Sequence, residues 1–192
     1  MILLLDVMGT LVHDPFHEEM PAFFGMTLRE LIAQKDPTAW VEFEHGELTH
    51  EAFLARFWAD GRDYDRAGFT GCVREAYDFL PGIEELLGEL HAAGVTMHAR
   101  SNYPVWFRWI EERLALSRFL TWSFVSCETG VRKPDPEAYR GPVRRLGVAP
   151  SSLLFVDDRE ANVTAAEAEG LAGHRFESAA GLRAELAARG LL

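Results

Sequence analysis

Short apolar runs that stop abruptly at a polar residue constrain the fold of this chain more than any other feature. Ile2 to Leu5 runs straight into Asp6, Val95 to Ala99 precedes Ser101, and Leu153 to Val156 precedes Asp157. Trp122 to Val125 has the same form, and Gly173 to Phe176 is a weaker copy. Runs this short and this continuously apolar predict parallel strands buried on both faces. Between them lie segments with apolar residues at helical spacing: 83–93, 105–116, 136–146, 160–169 and 180–188. Gly94, Gly147, Gly170 and Gly190 stand just past four of these segments, where helices favour a glycine. The alternation predicts an α/β fold, a Rossmann-like parallel sheet with helices on both faces.

Residues 15–80 break the alternation. They are rich in aromatics and read as helices over 28–35, 37–44, 49–59 and 69–79. Thr27 and Thr49 each offer an N-cap hydroxyl, and Thr27-Leu-Arg-Glu30 also fits capping-box spacing. This block is expected to be an α-helical cap inserted after the first strand, with Pro81-Gly82 marking the return. The expected domains are a core of residues 1–14 and 81–192 and a cap of residues 15–80.

A chain of 192 residues suits one α/β core with a small accessory domain. Its net charge of −11, with no clustered Lys and Arg, argues against nucleic acid or an anionic membrane surface as partner. Cys72 and Cys127 are the only cysteines and lie far apart, as expected in a reducing compartment. The apolar start is too short for a signal h-region or a membrane span, so a cytoplasmic chain is expected.

Asp6, Ser101, Lys133 and the pair Asp157-Asp158 all fall where predicted strands end. In an open parallel sheet, ligands bind beyond the carboxyl ends of the strands, so these groups should converge. Each alone has a plainer reading: a turn former, a helix entry through Pro136, or a solvated acid. Together they resemble the haloacid-dehalogenase-like hydrolase superfamily. Asp6-Val-Met-Gly-Thr-Leu11 resembles its first motif and Ser101-Asn102 its second. Lys133-Pro-Asp-Pro136 resembles the third, and Phe155-Val-Asp-Asp-Arg-Glu-Ala-Asn162 the fourth.

The resemblance implies a small phosphate ester as substrate, Asp6 as nucleophile, and Ser101 and Lys133 as catalytic partners. It implies substrate contacts from Thr10, Asn102 and Tyr103, and Mg²⁺ held by Asp6, the Met8 carbonyl, and Asp157 or Asp158. The superfamily's phosphatases carry a second aspartate where this chain has Met8, which cannot transfer a proton. That leaves a haloacid dehalogenase, a phosphonate-cleaving hydrolase or a non-catalytic phosphometabolite-binding protein as alternatives. His13 is a candidate replacement for the missing acid, and Lys35 is the only cap lysine for phosphonate chemistry.

Residues 14–26, 60–65 and 101–106 resemble, more narrowly, a plastid-type branch that hydrolyses flavin mononucleotide and also has Met at this position. Most cap aromatics (Trp40, Phe43, Phe53, Phe57, Trp58, Tyr64) are expected to form the cap's own core. Tyr103 and Trp106 are better placed to meet a substrate, and Arg62 is open between a substrate contact and a surface ion pair. A monomer or homodimer is expected.

Overall fold

A computed structural model describes residues 1–192 and contains five strands. These are β1 (Ile2–Leu5), β2 (Met97–Ser101), β3 (Thr121–Val125), β4 (Leu153–Asp157) and β5 (Ala172–Arg175). They form one parallel sheet in the order β3-β2-β1-β4-β5. Between β1 and β2 lie α1 (Glu19–Phe23), α2 (Leu28–Gln34), α3 (Ala39–Glu44), α4 (His50–Ala55), α5 (Arg66–Ala76) and α6 (Ile83–Ala92). Further helices are α7 (Phe107–Leu114), α8 (Ser126–Thr129), α9 (Glu137–Leu146), α10 (Glu160–Ala168) and α11 (Ala179–Ala188). No helix is long and apolar enough to cross a membrane.

Successive strand residues point to opposite faces, and the sequence satisfies both. Leu3, Leu5, Leu154 and Val156 pack with Leu86 and Leu90 of α6, Ile110 of α7 and Leu186 of α11. Leu4, Leu153 and Phe155 pack on the other face with Ala138 and Tyr139 of α9 and Ala166 of α10. Helices therefore cover both faces, and the Rossmann-like fold expected from the sequence is the observed one.

β3, β4 and β5 differ from the expected runs by one residue, and β2 differs most. β2 starts at Met97 and runs through Ser101, which pairs with Val125. It therefore contains a buried Arg100, a residue that ends an apolar run in the sequence. Its guanidinium donates to the carbonyls of Ala138 (2.9 Å), Phe124 (3.0 Å) and Val131 (3.1 Å). Three carbonyl dipoles make the buried cation tolerable, although burial still pulls its pKa down to about 10.

The aromatic block holds α1 to α5. Thr27 and Glu30 form the capping box, and Thr49 accepts the Ala52 amide at 3.2 Å. α4 stops at Ala55 because the next residues pair sideways: Asp36 N–H donates to the Phe57 carbonyl and Ala59 N–H to the Gln34 carbonyl. α1 was hidden in the sequence by Pro21. In the first turn Pro costs nothing, because that N–H has no helical partner. The buried aromatics of this block share one cluster with the α6 face of the sheet.

Two seams fix the block to the sheet. Val12, where the chain leaves, bridges Phe79, where it returns, and Leu80 N–H donates to the Leu11 carbonyl at 2.9 Å. At the second seam Ser126 Oγ donates to the Glu44 carbonyl at 2.6 Å. Gly46 lies beside it with φ +78°, where a Cβ would meet the Cys127 carbonyl oxygen at 2.4 Å. Gly46→Ala should therefore lower the unfolding free energy by about 1–3 kcal/mol, from the backbone conformation alone. Urea denaturation checks this, and an unchanged midpoint would mean that the seam yields freely.

Candidate active site

Connections leave β1 and β4 in opposite directions, which opens a crevice at their carboxyl ends. Asp6 is the first residue past β1, and Asp157 is the last of β4. Lys133 enters from the loop between α8 and α9. Its Nζ donates to Asp6 Oδ1 and to Asp157 Oδ2, both at 2.6 Å. Asp157 is fully buried and also accepts the Arg159 amide (2.9 Å) and the Asn162 side-chain amide (3.0 Å to each oxygen). Asp158 is half-buried, and its carboxylate accepts no hydrogen bond from another residue. Gly9, at φ +75°, lies beneath it, and a Cβ there would come within 3.0 Å of Asp158 Oδ2.

Asp6, Asp157 and Asp158 bring carboxylate oxygens within 4.8 Å of one another. Three carboxylates face a single ammonium, so negative charge crowds a largely buried place. Burial pushes the Asp6 carboxyl up from 3.8 to about 7 against the pull of Lys133, with Asp157 and Asp158 pushing further. Burial and the Asp157 charge also raise Asp158. A divalent cation would balance this charge, and all-oxygen donors suit Mg²⁺. The Met8 carbonyl accepts no hydrogen bond and is free to join them. The residues present fit the ion.

The remaining sequence candidates separate by what they touch. Ser101 is 1% exposed and its hydroxyl has no partner, an orphaned buried group that an anion's oxygen would satisfy. Asn102 lines the cavity, but both ends of its amide serve the loop: Nδ2 donates to the Lys133 carbonyl (2.9 Å) and Oδ1 accepts the Lys133 amide (2.8 Å). Thr10 is corrected from a substrate contact to an anchor. It is fully buried, and its hydroxyl accepts the Asp158 amide at 3.2 Å. Tyr103 lines the cavity with its hydroxyl shared with Tyr77 at 2.9 Å.

The cavity has a volume of about 480 Å³ and joins Asp6, Lys133 and Asp158 to groups from the helical block. Trp40 is on its wall, and its indole N–H donates to Glu44 at 2.7 Å. Phe16, also on the wall, lies nearly parallel to Trp40, at 28° and 6.5 Å between centroids. Phe43, Phe53, Phe57 and Trp58 are buried in the block's own core, as the sequence suggested. Trp106 is corrected: it is fully buried with its indole N–H on His50, away from the cavity. Arg62 stacks on Trp58 and binds Asp60 and Gln34, so it is a surface contact. Lys35 lines a separate small cavity, which leaves no cap lysine at Asp6.

Sequence reasoning missed one pair. Glu44 of α3 is 5% exposed and binds Arg132 at 2.7 and 2.6 Å, tying the helical block to the loop that carries Lys133. Arg132 precedes Lys133 in the sequence, but nothing there pointed to a partner 88 residues upstream.

Residues 1–170 match the family model of haloacid dehalogenase-like hydrolases. Flavin mononucleotide hydrolase 1 of the chloroplast in Arabidopsis thaliana is 46% identical over 99% of this chain and 78% of its own length. A sesquiterpene phosphatase of Aspergillus oryzae is 33% identical over 77% of each chain. A haloacid dehalogenase family enzyme of Bacteroides thetaiotaomicron, crystallised with magnesium and inorganic phosphate, shares the fold. Its TM-score is 0.71 at 18% identity, over 92% of this chain and 94% of that one.

The raised Asp6 carboxyl has a consequence for stability. Between 3.8 and about 7 the unfolded chain has released this proton and the folded chain keeps it. The stability contribution is therefore full at low pH and lost as pH rises through 7. In EDTA, unfolding free energy should fall over that window more steeply for the wild type than for Asp6→Asn. Equal slopes would contradict the electrostatics described.

Proposed function

The chain belongs to the haloacid dehalogenase-like hydrolase family, and from that footing we propose that it is a Mg²⁺-dependent phosphomonoesterase acting through Asp6, with flavin mononucleotide as leading substrate. The observation that carries this reading is the arrangement of three carboxylates around one lysine, which calls for a divalent cation beside a buried carboxylate. Its phosphatase-type relatives support the reaction class, and the flavin mononucleotide hydrolase supports the substrate.

In this reading Asp6, the Met8 carbonyl and Asp158 would hold the ion. Asp157 is already filled by Lys133, Arg159 and Asn162 and acts as their anchor. When bound, Mg²⁺ supplies the positive charge that lets an anionic carboxylate approach an anionic phosphoryl group. Lys133 fixes the Asp6 carboxylate and adds a second positive charge. The Ser101 hydroxyl donates to a phosphoryl oxygen. Asp6 forms a bond to phosphorus as the ester oxygen leaves, and water then cleaves the aspartyl-phosphate. Residues 15–80 act as the cap that keeps bulk water from this intermediate. Phe16 and Trp40 supply a flat apolar wall for a ring system.

Orthophosphate should be released from flavin mononucleotide with Mg²⁺ and not with EDTA, and Asp6→Asn should lower kcat by about 10³-fold or more. Release by Asp6→Asn at the wild-type rate would remove the mechanism. Trp40→Leu should raise KM for flavin mononucleotide roughly tenfold, as expected for loss of one stacking surface, and leave KM for p-nitrophenyl phosphate nearly unchanged. Equal shifts for the two esters would show that Trp40 does not select the ring.

A further inference from the structure

A phosphate ester of an alcohol needs a proton on its leaving oxygen, and Met8 has none to give. The cavity's other proton-bearing groups can be sorted by what already holds them. Glu44 is committed to Arg132 and Trp40, and Lys133 to two carboxylates. The Tyr103 hydroxyl is shared with Tyr77. Asp14 accepts the Phe16 amide at 3.0 Å, while Glu18 and His17 are exposed, with His17 3.8 Å from Asp14. Asp158 would hold the proposed ion.

His13 remains. It lines the cavity, and its backbone N–H donates to the Asp78 carbonyl at 2.9 Å beside the Val12–Phe79 bridge, so its position is fixed. Its Nε2 sits 2.9 Å from both Glu19 carboxylate oxygens. A carboxylate at Nε2 holds the proton on that nitrogen and so fixes the tautomer. Nδ1 makes no hydrogen bond and is the nitrogen left to exchange a proton.

We propose that His13, held by Glu19, is the general acid and base that takes over the role Met8 cannot fill. This rests on the phosphomonoesterase reading. As Asp6 bonds to phosphorus, the ester P–O bond breaks, and its oxygen keeps the electron pair and takes the Nδ1 proton of the His13 imidazolium. The neutral imidazole then takes a proton from the water that attacks phosphorus. The P–O bond to Asp6 breaks, phosphate leaves, and both Asp6 carboxylate and His13 imidazolium are restored. Glu19 is a positioning residue: it sets the tautomer and does not reach the substrate.

The test compares two leaving groups. Flavin mononucleotide releases an alcohol that must be protonated, whereas p-nitrophenyl phosphate releases a stable phenolate. His13→Gln should lower kcat for flavin mononucleotide about 100-fold and for p-nitrophenyl phosphate less than about tenfold. Glu19→Gln should show the same selectivity in weaker form, which a merely structural role would not produce. His13→Asn is a second substitution with the same expected pattern, and thermal unfolding verifies that each variant is folded. Equal losses on both esters, or no loss, overturn the role of His13. A wild type that cleaves p-nitrophenyl phosphate but not flavin mononucleotide rejects only the flavin reading, and the comparison then uses whichever alkyl phosphate is turned over. A wild type that cleaves no phosphate ester removes the reaction class and this role with it.

Discussion

The rest of the site depends on one buried ammonium, Lys133, shared between Asp6 and Asp157 at 2.6 Å each. Burying charges is costly unless they are paired and their remaining hydrogen-bonding capacity is met. The structure spends many groups on that requirement. Asn102 clamps the Lys133 backbone in both directions. Arg159 and Asn162 complete Asp157, and the Tyr139 hydroxyl donates to the Asn162 carbonyl at 2.9 Å. Even so the arrangement stays anionic. That crowding of carboxylates is what the proposed cation would relieve, and the cation would in turn favour an anion beside it.

Much of this was legible in the sequence, for physical reasons. A run such as Leu3-Leu4-Leu5 must bury both faces, so the sheet and its covering helices follow from it. Strand ends in an open parallel sheet converge, so Asp6, Ser101 and Asp157 could be brought together on paper. Helix stops were less legible because tertiary pairing sets them: α4 yields at Ala55 to the pairing of residues 34–36 with 57–59. Thr10 was misread because a hydroxyl close to Asp6 in sequence looks free until the Asp158 amide is seen upon it. Trp106 was misread because proximity in sequence to Ser101 does not determine on which side of the sheet end a ring packs.

The Glu44–Arg132 contact and the orientation of Trp40 were not legible at all, since they join a helical insert to a distant loop. They matter because they link the cavity wall to the loop that carries Lys133. The same Glu44 carboxylate holds the Trp40 indole and Arg132, the residue before Lys133. Trp40 and the Lys133 loop thus share one support. Nearby, His13 sits where the chain crosses from sheet to helices, which places a titratable group at the cavity without altering the first strand.

In the mechanism we propose, Asp6 is phosphorylated during turnover. Acid quenching of the enzyme during hydrolysis of radiolabelled flavin mononucleotide, followed by peptide mapping, tests it most directly. Label is expected on the peptide carrying Asp6, released by hydroxylamine as an acyl phosphate is, and absent in Asp6→Asn. Label on another residue, or turnover with an unlabelled chain throughout, would contradict it.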